Sequence, residues 1–274
     1  MTSSPLADRS VATAIPPSAW TWRPGDGADY LTCELLSSWS HGFFTRKFSP
    51  RSPADLTPSL NPDATVLRVK QVHGDRTLSA TEIAQTPPAD GAPYPPADGV
   101  LTETKNQAAW VCTADCTPAL IGDLNTGMVA AVHAGWRGTA EKIVPKAIAR
   151  LLERGATLET LRVALGPAIS GAAYQVHQPV ADQLTETLQT APNQWEQYDL
   201  LPVQPDPEAG KARLDVRHVN LLQLLELGLT PEQLAIAPHC THSDRDRFFS
   251  YRRDATKTVQ WSGIVSGIAS GSQP

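Results

Sequence analysis

The chain lacks any apolar run of the roughly 20 residues that a membrane span requires, and its first residues lack a basic region followed by an apolar stretch. We therefore expect neither a membrane protein nor a secreted one, and we expect the cytoplasm as its location. Cysteine is scarce, with four residues in 274. Because a chain of this length buries enough surface without cross-links, these cysteines predict free thiols or a metal ligand rather than a disulfide framework.

An excess of one charge sign is also absent. The 23 basic and 28 acidic residues are mixed along the chain and give a net charge of −5. Nothing in this pattern favours binding to nucleic acid or to an anionic membrane. The expected partner is a small molecule, and a monomer is the favoured state.

The order of segments along the chain predicts one α/β domain. Residues 1–19 are rich in Ser, Ala and Pro and predict a disordered tail. From residue 20 to about 270, strand-like and helix-like patterns alternate without an internal repeat or a break in composition. We expect a single domain in which a layered, mixed β-sheet is packed with helices.

Apolar periodicity and turn residues predict the individual elements. A strand is expected over 64–74, ending near His73, and a helix is expected from a cap at Thr139 through Leu152, closed by Gly155. Further strands are predicted at 110–113, 119–122, 128–132, 161–165 and 235–238, and further helices after Pro179 and over 216–227, the last one closed by Gly228.

Three potential metal ligands lie at predicted strand ends inside turns: His73 in QVHG, Cys116 in ADCTP and His133 in HAGWRG. Strand ends in α/β folds gather at one edge, where ligands bind. Two imidazoles and one thiolate suit zinc, and three protein ligands leave one position open, as in catalytic sites. The alternative is a buried thiol with two hydrogen-bonded histidines, which are common in any core.

Seven segments together resemble one known family. They are HGFFTR (41–46), QVHGDRT (71–77), ADGVLT (97–102), TADCTPALIGD (113–123), HAGWRGT (133–139), GPAI (166–169) and FFSYRRD (248–254). The chain resembles the family once labelled multicopper polyphenol oxidases, or laccase-domain proteins, and now associated with purine nucleoside phosphorylase and adenosine deaminase activities. The resemblance extends from about residue 30 to 265.

The resemblance implies that His73, Cys116 and His133 bind zinc. It also implies phosphorolysis of adenosine, inosine, guanosine or methylthioadenosine to base and ribose 1-phosphate, together with deamination of adenosine. In the deamination, Asp115 or Asp98 is the expected proton carrier. Copper is the alternative metal, since His₂Cys ligation also suits it.

Arginine side chains are the expected phosphate ligands, because the guanidinium group binds oxyanions through two parallel hydrogen bonds. The candidates are Arg46, Arg137 and Arg252, and Arg253 is not separable from Arg252 by sequence. For any one arginine, pairing with a carboxylate is the alternative. Aromatic residues near these arginines, Trp136 and the Phe248–Tyr251 group, are candidates for stacking on a purine or for ordinary core positions.

The chain departs from the family pattern at three places. Lys47 begins a bulkier continuation after HGFFTR, Gln175 replaces a glutamate, and Thr256-Lys257-Thr258 replaces a segment that carries an arginine. These departures put Arg46 and the phosphate affinity in question. Three other functions stay open: a peptidoglycan-precursor editing factor, a copper-dependent polyphenol oxidase (laccase), and a binding protein without catalysis.

Overall fold

The structure is a computed structural model that describes residues 19–88, 91–191, 195 and 198–267. The predicted tail therefore lies almost entirely outside the described residues. Within the described part there are fifteen strands and seven α-helices. None of these helices has the length and apolar character that crossing a membrane requires.

The strands form three sheets. The first sheet has the order β1-β2-β3-β15-β7-β4, the second has the order β14-β10-β8-β9-β6-β5, and a small third sheet has the order β11-β13-β12. The strands are β1 Trp20–Pro24, β2 Asp29–Cys33, β3 His41–Phe44, β4 Thr65–Leu67, β5 Thr77–Ser79, β6 Gly99–Leu101, β7 Gln107–Thr113, β8 Thr117–Asp123, β9 Val129–Ala134, β10 Leu161–Leu165, β11 Gln175–His177, β12 Val203–Pro205, β13 Lys211–Leu214, β14 Leu234–Ile236 and β15 Gln260–Val265.

The helices cover the sheets from outside. They are α1 Pro53–Leu60, α2 Ala80–Gln85, α3 Trp136–Ala140, α4 Ile143–Leu152, α5 Gln178–Thr185, α6 Val216–Leu227 and α7 Tyr251–Asp254. Short 3₁₀ helices occur at Glu34–Leu36, Arg46–Phe48, Leu158–Thr160 and Pro231–Gln233.

The two large sheets bury one face against each other, as β9 illustrates. Val129 and Ala131 join a core shared with the first sheet, whereas Ala130 and Val132 join a core shared with α4 and α6. Both faces of the second sheet are thus covered, which explains why its strands are almost wholly apolar. The predicted α/β class with layered sheets and helices is confirmed.

The helix predicted from Thr139 through Leu152 is wrong as one element. It is two helices, α3 and α4, separated at Lys142, whose φ is +57°. In an uninterrupted helix, the ring of Pro145 would clash with the carbonyl of Glu141. The break places Pro145 in the first turn of α4, where no amide donor is needed. Thr139 consequently lies inside α3 instead of capping a helix.

The strand predicted over 64–74 is also too long. Regular pairing ends with β4 at Leu67, and only an isolated bridge at Lys70 follows. The segment ends in a turn at His73, whose φ is +63°. Other predictions match closely: α6 has the expected bounds and ends at Gly228, whose φ is +109°.

A buried ion pair holds the start of α6 against the rest of the fold. The Asp215 carboxylate accepts hydrogen bonds from Arg217 Nε (3.0 Å) and Nη2 (2.6 Å) and from the Gly171 amide (2.9 Å). We expect Asp215→Ala to lower the free energy of unfolding by about 3–5 kcal/mol, because it leaves a buried arginine unpaired.

Urea denaturation measures this loss. Asp26→Ala, which breaks an exposed ion pair with Arg51, is the control and should change stability little. Equal effects of the two variants would contradict the assignment.

Candidate metal centre

The structure brings the three predicted ligands together. One ligand atom each from His73, Cys116 and His133 lies within 4.8 Å of the other two. His73 is exposed, Cys116 is half-buried and His133 is buried. The trio therefore lies at the protein surface, with its most accessible side at His73.

Strand pairing in the second sheet explains this convergence. β8 and β9 are antiparallel with Pro118 opposite His133, so Cys116, just before β8, lies near the end of β9. On the other side of β9, Gly99 of β6 lies opposite Val132. Asp98, just before β6, consequently lies beside His133, whose amide donates to the Asp98 carbonyl at 2.7 Å.

One buried carboxylate, that of Asp98, orients both histidines. His133 Nδ1 lies 2.8 Å from Asp98 Oδ1. This contact directs the other ring nitrogen, Nε2, towards the other two ligands, His73 and Cys116. The backbone amides of Val72, His73 and Gly74 donate to the same carboxylate at 3.1, 2.8 and 2.8 Å. These bonds hold the turn in which His73 adopts its left-handed conformation.

Two glycines of the HAGWRG segment permit close approach at the site. A Cβ atom on Gly135 would lie 3.1 Å from Cys116 Sγ and 3.5 Å from a ring carbon of His73. A Cβ atom on Gly138 would lie 2.6 Å from the Gly74 carbonyl oxygen. Glycine at these positions keeps the space around the ligands open and lets α3 pack against the His73 turn.

The ionisation states of Cys116 and His133 depend on each other. Burial opposes ionisation of Cys116, but His133 and hydrogen bonds from both histidines lower the pKa of the thiol to about 6. Burial likewise opposes protonation of His133, but the Cys116 thiolate and Asp98 raise the pKa of this imidazole to about 9. Between these values the pair is a thiolate and an imidazolium. By contrast, burial raises the pKa of the neighbouring Cys112 to about 11.

We expect binding of zinc at pH 7.5 to release about one proton from this pair. The thiolate is already ionised, whereas His133 must lose the proton on Nε2 before it can coordinate a cation. Isothermal titration calorimetry in two buffers of different ionisation enthalpy measures the number released. A value near zero would contradict a pair that holds one proton at this pH. Thiolate ultraviolet absorbance of the metal-free protein, if Cys116→Ala removes it, identifies the thiolate–imidazolium form.

Comparison with known proteins agrees with the predicted resemblance. The family described as multi-copper polyphenol oxidoreductase laccase matches residues 54–266. The chain belongs to this family. It is 54% identical over 256 residues to a purine nucleoside phosphorylase of Synechocystis sp., covering 90% of this chain and 97% of that protein.

Two further similar proteins are informative. A protein named adenosine deaminase RL5, from an unknown prokaryotic organism, is 31% identical over 156 residues, which is 57% of this chain and 56% of that protein. The crystal structure of YlmD from Geobacillus stearothermophilus has 25% sequence identity and a TM-score of 0.77, and the match covers 91% of this chain and 99% of that one. The family and fold predicted from the sequence are thereby confirmed.

Asp115 precedes Cys116 in this laccase-like chain, and each of its carboxylate oxygens accepts one hydrogen bond. Oδ1 accepts from the Thr241 hydroxyl and Oδ2 from the Arg252 amide, each at 2.7 Å. The Asp115 carbonyl also accepts from the Ile169 amide at 2.9 Å. Asp115 therefore ties the segment with Arg252 to the turn that carries Cys116.

The four candidate arginines differ in the contacts that their guanidinium groups make. Arg253 donates to Asp254 and to the carbonyls of Thr241, His242 and Phe248, so its guanidinium is committed to the protein itself. Arg46 lies over Phe249 and donates to the Arg245 carbonyl. Arg137 and Arg252 are exposed, and within the described residues neither pairs with a carboxylate.

Tyr174 contacts the candidate residue Arg252, and sequence reasoning did not single it out as functional. It is half-buried, and the Arg252 guanidinium carbon lies 4.7 Å from its ring centroid. Burial raises the pKa of Tyr174 to about 12; the charges of Cys116 and Asp115 add to this effect, and those of Arg252 and Arg137 oppose it. Its only signal in the sequence was its position before the unusual Gln175.

Proposed function

We propose that this chain is a zinc-dependent purine nucleoside phosphorylase. The expected substrates are adenosine, inosine, guanosine or methylthioadenosine together with phosphate. The observation that carries the proposal is the His-Cys-His trio with two arginines that lack a carboxylate partner in the described residues. Arg137 follows His133 in the HAGWRG segment, and the Arg252 amide donates to Asp115, the residue before Cys116. The similarity to a purine nucleoside phosphorylase over nearly the whole chain supports it.

Zinc is the proposed metal because the residues fit it. Two imidazoles and a thiolate of lowered pKa form a typical three-ligand zinc set, and the carboxylate of Asp98 supplies the usual outer partner of a ligating histidine. A bound zinc ion would supply Lewis acidity at the open position. Within the described residues the trio is one group, whereas a laccase-type copper oxidase needs several coppers.

The protein's own part in phosphorolysis is to bind and orient phosphate. The reaction breaks the bond between the sugar carbon and the purine nitrogen, forms a bond from that carbon to a phosphate oxygen, and places a proton on the purine. The guanidinium groups of Arg137 and Arg252 would hold the phosphate, since each offers several donors to an oxyanion. Positive charge on the sugar in the transition state is stabilised by the phosphate held there.

Asp115 and Arg46 have supporting roles in this proposal. Because Asp115 accepts from the Thr241 hydroxyl and the Arg252 amide, we assign it the positioning of Arg252, and its predicted role as a proton carrier in deamination stays a prediction. Arg46, which lies over Phe249, supports the same C-terminal segment from outside. Gln175 donates to Asp206 and Glu208, so its side chain belongs to the small sheet rather than to the phosphate site.

Adenosine deaminase is the second candidate activity. The observation that favours it is the similarity to a protein named adenosine deaminase, which covers about half of each chain. Both activities use the same purine nucleoside, and a bound zinc ion would supply the activated water that deamination requires.

The test is product analysis with zinc-loaded protein. Adenosine is incubated with and without phosphate, metal content is measured by elemental analysis, and products are separated by chromatography. Adenine that appears only with phosphate supports phosphorolysis, and inosine without phosphate supports deamination. Zinc-loaded protein that forms neither product would overturn both activities.

If zinc-loaded protein forms neither product, the peptidoglycan-precursor editing factor becomes the favoured function. A deletion strain that accumulates wrongly built cell-wall precursor, with unchanged purine pools, would then be the supporting result. Near-stoichiometric copper with oxidation of phenols would instead favour the polyphenol oxidase.

A further inference from the structure

Two arginine side chains near the trio, those of Arg137 and Arg252, each lie over an aromatic ring. The guanidinium carbon of Arg137 lies 4.4 Å from the ring centroid of Trp136, and that of Arg252 lies 4.7 Å from the ring centroid of Tyr174. Such contacts fix the direction of a cation without neutralising its charge. Since neither arginine has a carboxylate partner in the described chain, both remain available to an anion.

The ring of Tyr174 is held on a rigid base. Its amide donates to the Ser170 carbonyl at 3.0 Å, and its carbonyl accepts from the Leu214 amide at 3.0 Å. The ring packs, like that of Trp136, against the apolar cluster beneath the third sheet. Arg252 Nη1 donates to the Gln175 carbonyl at 2.6 Å, so the guanidinium is fixed on both sides.

The hydroxyl of Tyr174 has no hydrogen-bond partner among the residues that the structure describes. Burial favours its protonated form, so the phenol is a donor at neutral pH. Its ring lies against Arg252 and packs on the same apolar cluster as Trp136, the residue over which Arg137 lies. This half-buried donor is therefore available to an anion that binds near the two arginines.

We propose that Tyr174 is part of the oxyanion site: its ring positions Arg252, and its hydroxyl donates a hydrogen bond to the phosphate held by Arg252 and Arg137. This inference rests on the proposed function for the identity of the anion. It assigns Tyr174 to binding of phosphate and not of the nucleoside or the metal.

The test measures binding of inorganic phosphate alone to zinc-loaded protein by isothermal titration calorimetry. Tyr174→Phe keeps the ring and removes the hydroxyl, whereas Tyr174→Leu removes both. We expect the Phe variant to weaken phosphate binding about tenfold, as a lost hydrogen bond to a charged group does, and the Leu variant to weaken it further. Tyr30→Phe, whose ring stacks on Phe44 in the first sheet, is the matched control.

Steady-state kinetics adds a measurement that a general structural defect would not produce. In the Phe variant the KM for phosphate should rise about tenfold, with the KM for the nucleoside and the zinc content unchanged. Phosphate affinity of the Phe variant within twofold of the unmodified protein would overturn the proposal. Because binding is measured without nucleoside, a protein that binds phosphate through Tyr174 but releases no base would overturn the proposed function alone.

Discussion

Cys116→Ala is expected to remove the bound metal and to reduce turnover by roughly a thousandfold or more. The thiolate is the one anionic ligand of the trio, and without it two imidazoles must hold the cation alone. Loss of a catalytic zinc removes several kcal/mol of transition-state stabilisation, and each 1.4 kcal/mol corresponds to about tenfold in rate. Elemental analysis and the assay with adenosine and phosphate measure the two losses together.

Cys112→Ala is the matched control for this variant. Cys112 is also half-buried and lies only four positions earlier, but its thiol is not in the trio. We expect it to retain metal and activity. If Cys116→Ala kept stoichiometric zinc, or if both variants lost it equally, the assignment of Cys116 as a ligand would be wrong.

Asp98→Asn is expected to weaken metal binding by about 10–100-fold, the usual effect of removing an outer partner of a histidine ligand. The carboxylate accepts hydrogen bonds from the His133 ring and from three backbone amides of the His73 turn. The amide nitrogen of asparagine cannot accept a hydrogen bond, so at least one of these donors is left without an acceptor. The His73 turn and the His133 ring then lose their fixed orientation.

Competition with a chromophoric zinc chelator measures the affinity of the Asp98 variant. Asp123→Asn is the control, because Asp123 is an equally buried carboxylate that accepts from Thr126 and Thr160 in a turn outside the trio. Both variants should lower the unfolding temperature, but only the first should lower zinc affinity. Unchanged affinity in Asp98→Asn would show that the histidines are oriented by other contacts.

Local signals in the sequence were sufficient for some elements and not for others. The bounds of α6 follow from a sustained apolar pattern that ends at Gly228, both of which are local. The division between α3 and α4 also had a local signal in Pro145, but the continuous apolar stripe outweighed it in the prediction. The turn at His73 had no local signal, because Asp98, which holds it, is distant in sequence.

By itself the sequence determined the kind of chemistry: two histidines and a cysteine in turn segments, arginines suited to an oxyanion, and alternating strands and helices. Tertiary structure alone decided which residues share the site and which charges stay free. The guanidinium of Arg253 donates to Asp254 and to backbone carbonyls, whereas that of Arg252 lies over the ring of Tyr174. The physical reason is that burial and hydrogen bonding depend on contacts between residues far apart in the chain, whereas turn and helix signals depend on neighbours.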